Sequence, residues 1–341
     1  MIRQVLEALL AGRDLAAEEM EACFGALMAG ELSEPQQAAF LVALRAKGET
    51  PAEVAAAAAV LRRFALPVES TRRPLIDTCG TGGDGAHTLN ISTGAALVAA
   101  ACGAAVAKHG NRSVSSKCGS ADVLEALGMP LDLEPERLGE LLDAEGFAFL
   151  FAARLHPAMR AVMPVRRSLA VRTVFNLLGP LANPAGVRRQ VVGVYAEDVL
   201  ELVAAALAEL GAERAWVVHS RDGLDELSVT APTDVVEVRD GAVAGRFAVD
   251  PASVGVGAAD RADLEGGDAA ANAARLRSIL AGDDRGPAAA AVALNAGAAL
   301  VVAGLAPGLN AGVERARECL ARGGAAALLD RVVAKAKGGR R

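Results

Sequence analysis

The sequence predicts an α/β protein: a large domain with a mainly parallel sheet flanked by helices, plus a small all-helical domain. Three observations carry that prediction. Residues 2–64 show helical periodicity and no strand pattern. From Pro74 onward, short apolar runs alternate with segments of helical length, the rhythm of βαβ units whose strands are covered on both faces. The chain of 341 residues is 52% hydrophobic but only 3% aromatic, and an apolar fraction rich in Ala suits closely packed helices on a sheet.

The elements follow in order. Residues 32–48 carry apolar positions at helical spacing, and 49–64 open with a Thr50 cap and Pro51 in the first turn. Strands are predicted at 75–79, 104–109 and 147–152, with helices at 93–103, 120–128 and 135–146, Ser120 capping the second of these. Arg-rich helical text fills 154–186. Alternation resumes with a strand at 190–196, a helix at 197–211 and a strand at 213–220, and then a hairpin made by VVEVRDG and AVAGRFAV. The last stretch is mainly helical. The uncharged run 286–304 approaches a membrane span in length, but Asn295 and Gly297 interrupt it and a buried helix is expected. The boundaries expected are a small helical domain at 1–66 with part of 154–188 inserted into it, and a large α/β domain formed by 73–153 and 189–341.

A net charge of −6 argues against a general nucleic-acid binder, whose affinity comes from basic surface. The five cysteines are scattered, with no CxxC pair, so neither a disulfide framework nor a zinc site is indicated. The opening segment is amphipathic and acidic, unlike a secretory signal, and a cytoplasmic location with no membrane partner is expected.

Gly80-Thr81-Gly82-Gly83-Asp84-Gly85 formally matches the dinucleotide fingerprint G-x-G-x-x-G after a strand. That reading needs an acid at the end of the next strand, where Lys108-His109 stands instead. Walker A also fails, because Ala86-His87 follows Gly85. A phosphate cradle of another type or a plain strand–turn–helix connection remain, with Asn90, Ser92 and Thr93 at the helix start. The second loop, Lys108 to Ser116, follows the neighbouring strand, and no Asp or Glu occurs from His87 to Ala121. Two anion-seeking loops at one carboxyl edge point to a bound phosphate or pyrophosphate.

From Gly146 to Ala196 acids are again absent, while Arg154, Arg160, Arg166, Arg167, Arg172, Arg188 and Arg189 occur. An interior Arg binds a planar carboxylate through two parallel hydrogen bonds, so a second anionic substrate fits here. Asp225 and Glu226, in the loop after a strand, read either as a solvated acidic turn or as a Mg²⁺ site. Beside a polyphosphate the metal reading is favoured, because Mg²⁺ takes oxygen ligands and substrate phosphates together.

GTGGDG, NIST, KHGNR-SVSS-KCGSADVLEALG, the R-x₅-R-x₅-RR stretch, NLLGPLANP and DGLDE closely resemble the anthranilate phosphoribosyltransferase family over nearly the whole chain. The resemblance implies transfer of the 5-phosphoribosyl group from phosphoribosyl pyrophosphate to the amine of anthranilate, the second step of the tryptophan branch, with Mg²⁺ and usually as a homodimer joined through the helical domains. By motif match, Gly80, Gly83, Asp84, Thr88, Asn90, Ile91, Ser92, Thr93, Lys108, His109, Gly110, Asn111, Arg112, Ser113, Val114, Ser115, Ser116 and Ser120 would hold phosphoribosyl pyrophosphate. Ser92, Asp225 and Glu226 would serve the metal. Gly80, Asn111 and Arg166 would contact anthranilate, with His109, His156, Gly179 and Pro180 as wall residues. Lys108, His109, Asn111 and Arg166 are the candidate catalytic residues, with His109 or a water accepting the amine proton. The rivals are a pyrimidine nucleoside phosphorylase-like enzyme, whose loop sequences differ, and a non-catalytic nucleic-acid-binding paralogue, for which eroded loops and a basic surface would be expected.

Overall fold

Helical text at the start builds α1 (Ile2–Leu10), α2 (Ala17–Met28), α3 (Glu34–Lys47) and α4 (Pro51–Arg63) in the computed structural model, which describes residues 1–113, 117–257 and 259–338. A reciprocal cap starts α4: Thr50 Oγ1 accepts the Glu53 N–H at 3.3 Å and the Glu53 carboxylate accepts the Thr50 N–H at 2.9 Å. Glu53 is fully buried and also takes the Leu15 N–H at 2.8 Å and Lys47 Nζ at 2.9 Å. The cap therefore also ties α4 to the chain before α2.

The α/β part then runs β1 (Leu75–Asp77), α5 (Ile91–Ala101), β2 (Ala105–Gly110), α6 (Ser120–Ala126), α7 (Pro135–Glu145) and β3 (Phe147–Phe151). Three short helices follow, α8 (Ala152–Leu155), α9 (Met163–Leu169) and α10 (Phe175–Leu181), before β4 (Arg189–Gly193), α11 (Leu200–Glu209) and β5 (Arg214–Ser220). β6 (Thr233–Arg239) and β7 (Ala242–Val249) form the expected hairpin, turning through Asp240 and Gly241 with φ of 48° and 76°. Two positive φ values in a two-residue turn match the right-handed twist of the strands, and Asp-Gly adopts them readily. α12 (Ala269–Ala281), α13 (Pro287–Ala303), α14 (Leu309–Ala321) and α15 (Gly324–Lys337) complete the chain.

The sheet order is β3-β2-β1-β4-β5-β6-β7, parallel from β3 to β5 and antiparallel beyond. β1 is shorter than its apolar text predicts. The Asp77 carboxylate takes the Thr78 N–H at 2.7 Å and the His109 N–H at 3.1 Å, so a side chain replaces the ladder at that point.

Side chains alternate across the strands and feed two cores. Trp216 and Val218 join α5, α6, α7 and α12–α15 on one face, while Ala215 and Val217 join α11 on the other. Val165 and Phe175, from α9 and α10, share that second core with the N-terminal helices, and the Phe24 and Phe175 rings lie 5.3 Å apart. α13 is buried along almost its whole length, and among the described residues no helix is long and apolar enough to cross a membrane.

Candidate active site

β2 and β3 lie to one side of β1, and β4 and β5 to the other, so the crevice between β1 and β4 is a topological switch point. Ligands of such sheets bind there, beyond the strands' carboxyl ends. Thr78, Gly80, Ser92, Gly193, Asp225 and Glu226 line it.

The glycine loop after β1 has φ of 62°, 78° and 70° at Gly82, Gly83 and Gly85, a backbone shape that costs glycine little. Thr81 N–H donates to Gly193 O at 2.8 Å and Gly82 N–H to Asp225 Oδ2 at 2.9 Å. The next amides, those of Gly83, Asp84 and Gly85, have no hydrogen-bond partner among the described residues. Successive free N–H groups of this kind form an anion-binding nest. Downstream, Leu89 N–H and Gly266 N–H pair with Leu264 O and His87 O, both at 2.8 Å, and Thr88 bridges Glu265.

Asn90 occupies the position before α5 but does not cap it. Its Nδ2 donates to Cys118 O at 3.1 Å and its Oδ1 accepts from Asn272 Nδ2 at 3.1 Å, which joins the first loop to the second. The Ser92 N–H is not open to a phosphate either, since Glu226 Oε1 accepts it at 3.1 Å. A carboxylate at a helix N-terminus is favoured by the dipole and satisfies an orphan donor. Ile91 and Thr93 are buried.

In the second loop, Lys108 is buried at the end of β2. Its Nζ reaches Thr78 O at 3.1 Å, Thr78 Oγ1 at 3.3 Å and Ser92 Oγ at 3.4 Å, so it spans both loops. Beneath it sits Asp77, whose carboxyl burial pushes up to about 6 against the pull of Lys108. Asn183 Nδ2 donates to Asp77 Oδ2 and to Ala107 O, each at 2.8 Å, and so fixes the bases of both loops. Ser120 is not the cap of α6. Gly119 holds that position, and the Asp122 carboxylate accepts the N–H groups of Gly119 at 2.8 Å and Ser113 at 3.2 Å. Ser120 Oγ instead donates to Asn111 O at 3.2 Å. Arg112 pairs with Asp122 at 2.7 Å and Glu125 at 2.8 Å, so the acid-free loop is balanced by acids just beyond it. Gly110 closes β2, and Asn111 is exposed with its Oδ1 on the Arg112 N–H at 2.8 Å. Val114, Ser115 and Ser116 lie outside the described residues.

The carboxylates of the third loop face this arrangement. Burial, then the neighbouring Asp84, raises the Asp225 carboxyl to about 7, and burial, then Asp225, raises Glu226 to about 8. Asn295, inside α13, clamps their loop by accepting the Leu227 N–H at 3.0 Å and donating to Leu227 O at 2.8 Å. Among the described residues no three His, Cys, Asp or Glu side chains form a closed metal cage. Two half-buried carboxylates in need of positive charge, without a full cage, fit Mg²⁺, which keeps waters and substrate phosphates as its other ligands. A Cβ on Gly193 would stand 1.6 Å from Asp225 O, so backbone meets backbone here. Gly193→Ala is therefore expected to displace the carboxylate loop, lowering stability by about 1–3 kcal/mol with loss of metal-dependent turnover. Thermal melts and a Mg²⁺ titration of activity check this.

The acceptor side comes from the segment between β3 and β4. Arg166, on α9, is half-buried, which lowers its pKa, and its guanidinium lies 4.8 Å from the Phe175 ring centroid. No carboxylate pairs with it among the described residues. Gly179 and Pro180 belong to α10, where Gly179 is exposed and has nothing within 4 Å of an added Cβ. Gly179 O accepts from His109 Nδ1 at 3.0 Å, which ties α10 to the end of β2. With that proton assigned to Nδ1, His109 Nε2 is an acceptor facing His156 Nε2 at 3.2 Å. Burial pushes His109 down to about 3 and His156 to about 4.

The family models described as "Glycosyl transferase family, helical bundle domain" and "Glycosyl transferase family, a/b domain" match residues 3–65 and 72–326. The chain is 50% identical over 280 residues to the anthranilate phosphoribosyltransferase of Desulfatibacillum aliphaticivorans, covering 82% of each chain. This chain belongs to the anthranilate phosphoribosyltransferase family. The anthranilate phosphoribosyltransferase of Anaeromyxobacter dehalogenans (strain 2CP-C) is 52% identical over 280 residues, again 82% of each chain. The crystal structure of anthranilate phosphoribosyltransferase from Thermus thermophilus superposes with a TM-score of 0.93 at 51% identity, covering 98% of this chain and 99% of that one. The same fold occurs in the anthranilate phosphoribosyltransferase from Saccharomyces cerevisiae in complex with PRPP and Mg, at 24% identity and a TM-score of 0.91, covering 99% and 98% of the two chains.

Asp77, Asp122, Asn183 and Asn295 were not singled out as site residues by the sequence. Only polar residues stranded in apolar text, in LID, LANP and the α13 run, signalled three of them.

Proposed function

We propose that the chain transfers the 5-phosphoribosyl group from phosphoribosyl pyrophosphate to the amine of anthranilate, releasing pyrophosphate, with Mg²⁺ as the metal. The arrangement that carries this reading is the meeting, at one switch-point crevice, of the amide nest, buried Lys108 and the Asp225–Glu226 pair. As the bond from C1′ to pyrophosphate lengthens, negative charge collects on the leaving group. Lys108 and the amides of Gly83, Asp84 and Gly85 are placed to neutralise it, a preorganised electrostatic role. Mg²⁺ held by Asp225 and Glu226, with Ser92 beside them, would add Lewis-acid stabilisation of the phosphate oxygens. The ribose becomes oxocarbenium-like and the amine attacks from the opposite face, inverting the anomeric centre.

Arg166 orients the acceptor through its carboxylate, and Asn111, Gly179 and Pro180 shape its surroundings. An aromatic amine is neutral near pH 7 and needs no base before attack. His109 is a poor acceptor of the released proton, because its Nδ1 is committed to Gly179 and burial disfavours its charged form. Water takes that role. A homodimer through the helical domain is supported by Leu10 on α1, 77% exposed, and Val42 on α3, 44% exposed. The five cysteines, none in a disulfide, suit a reducing cytoplasm.

The test follows the loss of anthranilate fluorescence with purified chain, phosphoribosyl pyrophosphate and Mg²⁺. Consumption that requires all three is expected, and none with every component present overturns the assignment.

A further inference from the structure

Arg172 stands in the short link between α9 and α10, and the reaction as derived gives it no task. Its base is held firmly: Ala170 ends α9 in a left-handed turn with φ of 50°, and buried Thr173 donates its N–H to Asn176 Oδ1 at 2.9 Å. From there the side chain crosses to the glycine loop. Nη2 donates to Gly83 O at 2.6 Å, and the guanidinium lies 4.0 Å from the centroid of the Tyr195 ring. Tyr195 follows β4 and is itself attached to the loop, its N–H donating to Thr81 Oγ1 at 3.1 Å.

We infer that Arg172 is a positioning residue for phosphoribosyl pyrophosphate, holding the amide nest of the glycine loop open by gripping its Gly83 carbonyl; this rests on the proposed transferase reading. Two side chains anchor the start of the nest. Asp225 takes the Gly82 N–H just before the nest, and Arg172 takes the Gly83 carbonyl, the oxygen of the peptide unit that carries the Asp84 N–H. Gly82, Gly83 and Gly85 lack a Cβ and so have wide backbone freedom, and without the second anchor the loop loses its defined shape. Tyr195 supplies a cation–π seat that keeps the exposed guanidinium in place. Arg166 and Arg172 are thus two arginines six residues apart, each stacked on an aromatic ring, with different tasks. One awaits the acceptor carboxylate and the other shapes the donor's loop.

The experiment compares Arg172→Ala and Arg172→Lys with the unmodified chain. In Arg172→Ala the KM for phosphoribosyl pyrophosphate is expected to rise about tenfold, with the anthranilate KM changed by less than about twofold. Arg172→Lys, which keeps one donor but stacks poorly, should fall between the two. Hydrogen exchange without substrates is the second readout. The hydrogen-bonded amides of Thr81, Gly82 and Ala86 should exchange faster in Arg172→Ala, while α5 keeps its protection. An unchanged KM for phosphoribosyl pyrophosphate, an equal rise in both KM values, or unchanged loop exchange would each overturn the assignment. Absence of turnover in the unmodified chain strikes the transferase reading instead, and the exchange result still decides what Arg172 does to the loop.

Discussion

Replacing Asp225 by Asn together with Glu226 by Gln is expected to abolish phosphoribosyl transfer while raising the melting temperature of the metal-free protein at neutral pH. The loss of turnover follows from removing the proposed metal ligands. The Mg²⁺ they would hold is the group aimed at the developing charge, and one such preorganised group contributes about 10²–10³ in kcat. The gain in stability follows from burial. Both carboxyls have pKa values raised above those of an unfolded chain, by burial first and by their neighbouring carboxylates second. A group whose folded pKa is raised favours folding below the unfolded value, about 4, and that contribution disappears as pH rises through the folded value. The metal-free protein should therefore lose stability between about pH 5 and pH 8. Mg²⁺ with pyrophosphate should restore it, since a ligand that binds only the native state stabilises it. The double variant should lack the rescue and show a shallower slope confined below about pH 6, where Asp77 still titrates. Melting curves at several pH values, with and without Mg²⁺ and pyrophosphate, measure both, and an unchanged Mg²⁺ response would remove these residues from the metal site.

Arg166→Ala is expected to raise the anthranilate KM by about 30- to 100-fold and leave the KM for phosphoribosyl pyrophosphate within about twofold. A half-buried cation without a charged partner is costly, and among the described residues this guanidinium's partners are the Phe175 face and the Met163 sulfur at 3.9 Å. A planar carboxylate would satisfy it through two parallel bonds. Hydrogen bonds to charged groups are worth about 1.5–3 kcal/mol, which sets the size of the effect. Arg166→Lys should recover little, because the fork that matches a carboxylate is gone. Steady-state kinetics with each substrate varied in turn decides the matter: equal changes in both KM values would take Arg166 out of acceptor binding.

Much of this was written locally in the chain. The change from helical text to alternating strands and helices located the sheet, and Asp240-Gly241 marked its hairpin. The glycine loop and the basic loop could be placed at one edge because their strands are neighbours. Pairings between distant residues were not legible. Glu226 meets the Ser92 N–H across 134 positions, so the amides expected for phosphate already serve carboxylates in part. The acid-free run from His87 to Ala121 suggested unpaired cations, yet the fold returns Arg112 to Asp122 and Glu125. Ser120 resembled a cap by residue type, but Asp122 two positions later reaches both Gly119 and Ser113 and displaces it from that work.

The grip of Asn295 on Leu227 has a bearing on how this chain tolerates change. α13 is packed on all sides, and it holds the acidic loop by a single amide from within. A conservative swap deep in that helix, far from any reactant, would shift the amide by a fraction of an ångström and register as a catalytic defect. Sequence drift in the hydrophobic interior is thereby policed by enzymatic fitness as well as by folding.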